Sequence, residues 1–365
     1  MIKFLNLYKQ DKTIIPSFLK ELRKLLRNND FILGNKVTEF EKNFSKFCNS
    51  KFAIGVANGT DALTIALNSL NLKKGSEVII PAMTYCSTAF AVINANLKPV
   101  LVDIESDSPT ININNLKKKI NSKTKVIMPV HLYGSAAKIL EIKKLIKGKN
   151  IFLIDDCSQA HGAFISENKN KKKMIGSIGD ISCFSLYPGK NLGAYGDAGI
   201  ITTNNKRLYK IIKNLRNLGS DKKFIHTRVG VNSRLDTMQA IILNLKLKEL
   251  KKNNDKRRKI AKIYSEQINN QYVSKLNYSK NAVYHQYVIK TSKRKELIKL
   301  FNANNVQYGF HYPKSINQLD VFKFRFRNER FINSEKLAKE GISLPIDTNL
   351  KKNEISKVVK LVNSL

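Results

Sequence analysis

The chain has 365 residues, 42% of them hydrophobic, and 65 Lys and Arg against 28 Asp and Glu give a formal net charge of +37 at pH 7. That length and apolar content suit one large core with a smaller companion and exclude a disordered chain. No apolar run approaches the roughly 20 residues of a membrane helix, and residues 1–6 (MIKFLN) lack the layout of a secretory leader, so no membrane contact and a cytoplasmic location are expected.

A pI near 10.0 raises nucleic-acid binding as a reading. The basic residues, mostly Lys, are nevertheless scattered over the whole chain among many Asn and Ile, which fits solvated faces better than a binding stripe. A field of that sign also draws in anionic substrates. Cys48, Cys86, Cys157 and Cys183 lie far apart without a short paired spacing, so neither a disulfide framework nor a metal site is expected.

In chain order, helices are expected over 16–26 and 38–47, the second with Phe40, Phe44 and Phe47 on one face. Residues 52–57 read as a strand, Asn58-Gly59-Thr60-Asp61 as a tight turn and 62–70 as an apolar helix. Strand, glycine turn and helix in succession point backbone N–H groups and the positive helix end at an anion, so Gly59 and Thr60 are candidate phosphate binders. Taken alone the pattern is weak, because many such connections carry Gly and Thr for turn geometry and helix capping. A strand at 77–82, a turn at 84–87 and a helix at 88–95 follow. Further strands are expected at 99–104, 126–131, 151–156, 181–186 and 199–203, separated by helical or loop stretches. This alternation argues for an α/β domain with a largely parallel sheet covered on both faces. A long basic helix at 241–264 then bridges to a C-terminal part with a strand at 283–289 and helices at 296–303 and 354–365. The expected division is a large α/β domain over 1–245 and a small α+β domain over 246–365.

The most informative stretch is 151–199. Its first strand ends in Asp155 and Asp156, at the strand end where ligands of parallel sheets collect. Lys190 follows a Ser-containing strand in the constrained loop Tyr187-Pro188-Gly189-Lys190-Asn191. Alone, it reads as one solvated lysine among dozens. With a phosphate cradle, a buried carboxylate, Ser185 and the aromatic Tyr85, it forms the set that pyridoxal phosphate (PLP) needs: an amine for a Schiff base, an acid for the ring nitrogen, a ring for stacking and a phosphate turn.

At this point the chain resembles a known family along nearly its whole length. The resemblance rests on Asn58-Gly59-Thr60-Asp61-Ala62-Leu63, Pro129-Val130-His131-Leu132-Tyr133-Gly134, Asp156-Cys157-Ser158-Gln159-Ala160-His161-Gly162-Ala163, Tyr187-Pro188-Gly189-Lys190-Asn191-Leu192-Gly193-Ala194 and Gly230-Val231-Asn232-Ser233-Arg234-Leu235-Asp236. It is similar to the DegT/StrS sugar-nucleotide aminotransferases, PLP enzymes of the aspartate-aminotransferase fold (type I). The resemblance implies that Lys190 and Asp156 are catalytic, Lys190 bonding the cofactor and Asp156 pairing with its ring nitrogen. It implies that Gln159 bonds the ring hydroxyl, Tyr85 stacks on the ring, and Gly59, Thr60 and Ser185 hold the phosphate. Asn232 is implied to reach the phosphate of a neighbouring subunit, hence a homodimer with shared sites. Asp155 stands where the family usually has Glu, while His131 and His161 read as structural.

Tyr187, His311 and Tyr312 resemble the sugar-pocket residues of members acting on 3-keto sugars. The implied reaction moves an amino group from L-glutamate, through pyridoxamine phosphate, to C3 of a dTDP-linked 3-keto-6-deoxyhexose for a surface polysaccharide. A 4-aminotransferase or a UDP-sugar enzyme shares the cofactor residues. A sugar dehydratase of this fold puts histidine where Lys190 stands, and a basic nucleic-acid-binding protein is the reading from charge alone.

Overall fold

The computed structural model describes residues 1–168 and 171–365. The first strands are β1 (Phe52–Val56), β2 (Glu77–Pro81), β3 (Lys98–Val102), β4 (Thr124–Ile127) and β5 (Phe152–Asp156). A hairpin of β6 (Phe164–Asn168) and β7 (Lys171–Met174) precedes β8 (Ile181–Ser185) and β9 (Gly199–Thr203). Seven of these form one sheet in the order β1-β9-β8-β5-β4-β2-β3. Pairing is parallel from β8 through β3, and β9 runs antiparallel to both β8 and β1. The sheet is therefore largely parallel, with an antiparallel edge made by the first and last strands to enter it.

Every residue of β2 and β9 is buried, as their apolar runs require of strands covered on both faces. One core cluster packs Phe40, Phe44 and Phe184 with Leu153 and Ile241; the other packs Ile54, Leu63, Ile80 and Ile201. Strand β4 stops at Ile127 instead of continuing to 131, because Pro129 has no N–H to donate to the ladder; Val130 rejoins it through a single bridge to Asp156. The helix after β1 starts at Gly59, three residues earlier than its apolar pattern suggests, because Asn58 caps it: Asn58 Oδ1 accepts the Asp61 N–H at 2.8 Å.

A ribbon of β10 (Ser220–Lys222) and β11 (Ile225–His226) leads to the helix Thr237–Gln267. Ile241 and Leu243 on this helix belong to the first core, and Ile260 and Tyr264 to a separate one. That separate core lies under β12 (Val273–Lys275), β13 (Tyr287–Thr291) and β14 (Gly341–Leu344), an antiparallel sheet in chain order. The chain start joins it too, since Ile2 bridges to Val306. Strand β13 begins four residues later than the apolar pattern at 283–289 implies. The preceding segment docks instead on the turn after β4: Val283 N–H donates to Gly134 O at 3.0 Å. That detour leaves His285 and Gln286 free to face the ends of the parallel strands.

Candidate active site

The carboxyl ends of β2, β5 and β8 open into a cavity of about 750 Å³. Among its lining residues are Gly59, Thr60, Tyr85, Asp156, Gln159, Ser185, Tyr187, Lys190, His311 and Tyr312. Ten of the eleven residues singled out in the sequence thus meet in one place. The eleventh, Asn232, is exposed and bridges to Asn217 outside the cavity.

At one end, the helix Gly59–Ser69 presents its first turn, whose leading N–H groups have no partner within the helix. A Cβ on Gly59 would stand 2.6 Å from Ser185 Cβ, so only glycine lets the end of β8 approach this turn. Thr60 Oγ1 donates to Ser87 Oγ at 2.8 Å. Asp156 is only 4% exposed; its Oδ1 accepts Ser158 N–H at 3.1 Å and its Oδ2 accepts Thr88 O–H at 2.8 Å.

The loop bearing Lys190 is pinned from both sides. Lys190 N–H donates to Tyr187 O at 2.9 Å. The buried Asn191 donates through Nδ2 to Asn254 Oδ1 at 2.9 Å and to Val283 O at 3.0 Å. Burial lowers the Lys190 amine to about 8, against the opposing pull of Asp156. Gln159 has a set orientation: its Oε1 accepts Tyr133 N–H at 2.6 Å and its Nε2 donates one hydrogen to Tyr312 Oη at 2.9 Å. One Nε2 hydrogen is left over.

The sequence reading missed Thr84, Ser87, Thr88, Asp197, His285 and Gln286, which also line the cavity. Thr84, Ser87 and Thr88 lie within three residues of Tyr85, so proximity to it was an available signal. His285 and Gln286 gave none, since they fell inside the expected strand. Asn191 Nδ2 is committed to two acceptors, so Asn191 Oδ1 faces His285 Nδ1 at 3.2 Å and that nitrogen carries the hydrogen. Burial and the nearby Lys190 keep His285 far below the usual imidazole range and His311 near 4, so both are neutral at pH 7.

Asp155 lies across the strand from Asp156, its Oδ2 accepting Ser182 Oγ–H at 3.1 Å, and burial pushes its carboxyl up to about 8. Asp155 approaches His131 and Cys157 as the one cluster of possible metal ligands among the described residues. His131 Nδ1 accepts Ala137 N–H at 3.0 Å, so Nε2 carries the proton and has no lone pair for a cation. All four cysteines are free. A cavity of about 780 Å³ elsewhere, lined by Leu140, Ile151 and several lysines, has no comparable set of groups.

Residues 12–363 match the profile of the DegT/DnrJ/EryC1/StrS aminotransferase family. The chain belongs to this family. It is 39% identical over 367 aligned residues to the dTDP-3-amino-3,6-dideoxy-alpha-D-galactopyranose transaminase of Aneurinibacillus thermoaerophilus, covering 100% of this chain and 99% of the relative. It is 34% identical to the UDP-N-acetyl-3-dehydro-alpha-D-glucosamine 3-aminotransferase of Acidithiobacillus ferrooxidans, covering 94% and 92%. Among solved structures, S. venezuelae DesV in complex with a ketimine intermediate superposes with a TM-score of 0.95 at 30% identity, covering 100% of this chain and 98% of that one. DegT-family aminotransferases use PLP. The cavity fits that cofactor: a helix start kept open by Gly59, a held carboxylate, a spare amide hydrogen and a half-buried amine converge on one space.

A lysine titrating near 8 is an amine at far lower pH than one at the ordinary 10.5. In cofactor-free protein, the rate at which Lys190 is acylated, followed by peptide mass spectrometry, should rise through about pH 8 while the surface lysines lag by roughly two units. A Lys190 profile coincident with the surface lysines would contradict this.

Proposed function

We propose that the chain transfers the amino group of L-glutamate to C3 of a dTDP-linked 3-keto-6-deoxyhexose, making a 3-amino-3,6-dideoxyhexose for a surface polysaccharide. The observation that carries the reading is the meeting of Lys190 and Asp156 with Tyr187, His311 and Tyr312 in one cavity, in a chain matched end to end by a dTDP-sugar 3-transaminase. Residues 1–245 form the cofactor domain and 246–365 the smaller one, with the helix Thr237–Gln267 spanning both.

Bound in the cavity, PLP supplies an aldehyde that receives the amino group and a protonated ring that takes up the electron pair released at the α-carbon. Gly59 and Thr60 N–H groups and Ser185 Oγ would hold the phosphate. Tyr85 would cover the ring, and the spare Gln159 Nε2 hydrogen would serve the ring hydroxyl. Asp156 would accept the hydrogen of the ring nitrogen. With the cofactor bound, Lys190 Nζ would be freed as the amino donor enters; it would carry a proton from the α-carbon of glutamate to the cofactor's aldehyde carbon and, in the second half-reaction, from that carbon to C3 of the sugar. Glutamate leaves as 2-oxoglutarate before the keto sugar enters. Tyr187, 58% exposed at the cavity mouth, orients the sugar with His311 and Tyr312. His311 is itself oriented by Ser343 Oγ, 2.8 Å from its Nδ1.

A second copy completes the site. Asn232 lies in a region where Leu218, Phe224, Ile225, Val229, Val231 and Met238 are exposed, Phe224 at 83% and Val229 at 99%. Apolar exposure on that scale marks a covered surface, and a partner seated there brings Asn232 to the neighbouring phosphate.

The matching UDP-sugar 3-aminotransferase favours one alternative, a UDP-linked 3-keto sugar substrate. Incubation with ¹⁵N-glutamate and each keto sugar, read by NMR, should place the label on C3 of the dTDP-6-deoxyhexose. Preferred labelling of a UDP sugar, or label at C4, would overturn the assignment. Lys190→Ala and Asn232→Ala should each be at least about 10²-fold slower. Subunits of the two variants, mixed and exchanged, should recover activity by rebuilding one intact site; no recovery would reject the shared site.

A further inference from the structure

Strand β5 ends at a carboxylate that needs more than a position: its rotation about the Cβ–Cγ bond decides where its lone pairs point. Asp156 is held by the Ser158 backbone N–H on Oδ1 and, among the described residues, by a single side chain, Thr88, on Oδ2 at 2.8 Å. Thr88 is 1% exposed and lies in the first turn of the helix Cys86–Asn94. Its hydroxyl is also 2.9 Å from that of Thr84, which is 2% exposed.

The direction of this chain follows from the number of hydrogens. An ionised carboxylate only accepts, so the one Thr88 hydroxyl hydrogen goes to Asp156 and Thr84 donates to Thr88. Two hydroxyls thus line up head to tail on one carboxylate oxygen, each polarising the next. The other ionisable groups facing Asp156 are Lys190, Tyr312, Cys157 and Cys183. None of these donates a hydrogen bond to it.

We propose that Thr88, backed by Thr84, is a positioning residue that fixes the rotation of the Asp156 carboxylate so that it meets the cofactor's ring nitrogen. The inference rests on the reading of Asp156 as the partner of that nitrogen. It also ties the two proposed ring contacts together, because Tyr85, the N-cap of the helix Cys86–Asn94, sits in sequence between Thr84 and Thr88.

Thr88→Val keeps the shape and removes the hydroxyl, while Thr88→Ser keeps the hydroxyl. Cofactor-free protein of each kind is titrated with pyridoxamine phosphate and with its analogue carrying carbon in place of the ring nitrogen. Neither bonds covalently to Lys190. Thr88→Val should weaken pyridoxamine phosphate about tenfold, the scale of one hydrogen bond to a charged group, and leave the carbon analogue within about twofold. Thr88→Ser should restore wild-type affinity. Equal weakening of both ligands, or no weakening of either, would overturn the proposal. Asp156→Ala separates the two layers: with no side-chain group left to meet the ring nitrogen, it should abolish the preference for the nitrogen ring, and a preference left intact would overturn the reading of Asp156 itself.

Discussion

A primary amine and a carboxylate line the same cavity at the ends of the parallel strands, and the surrounding structure makes that arrangement tolerable. Burial alone pushes Lys190 toward the neutral amine, while Asp156 pulls it toward the cation, and the balance settles near 8. An unpaired buried carboxylate is costly. Here the cost is met by hydrogen-bond donors fixed to the scaffold, Ser158 N–H and Thr88 Oγ–H, and not by a salt bridge that would consume the lysine. The amine therefore stays available for chemistry close to neutral pH. The histidines nearby add no competing charge, because His161, His285 and His311 are all held neutral by burial.

The parallel sheet brings these groups together from segments that are far apart in sequence. Asp156 ends β5, Ser185 ends β8, and Gly59 starts the helix that follows β1, so the glycine turn and the carboxylate line one cavity at the strand ends. Precision comes from amide side chains with only one workable orientation. Asn191 ties the lysine loop to Asn254 on the long helix, Asn254 Nδ2 donates in turn to His161 O, and Gln159 joins the segment after β5 to the turn after β4.

Most of this was legible in the sequence wherever chemistry and periodicity coincided. The bare apolar run ending in Asp155 and Asp156 gave β5 within a residue, and the glycine turn after 57 gave the start of the helix that faces the cavity. Composition could not tell Asp156 from Asp155; strand alternation separates them, sending Asp155 to Ser182 and Gly179 on the opposite face. What stayed hidden depended on contacts between distant segments. The apolar run at 283–289 reads as a strand by any local rule, yet Val283 bonds to Gly134 and hands His285 and Gln286 to the cavity. The antiparallel entry of β9 beside β1 likewise has no local signature. The +37 charge says nothing about the fold, although it gives an anionic nucleotide sugar a favourable field.

The central claim is that Lys190 is the amine that holds the cofactor beside Asp156. The direct test is borohydride reduction of the PLP-loaded protein, followed by digestion and mass spectrometry. The account predicts one pyridoxyl-modified peptide, carrying the adduct on Lys190, and none when L-glutamate is added in excess before reduction. An adduct spread over surface lysines, or one that glutamate leaves unchanged, would contradict it.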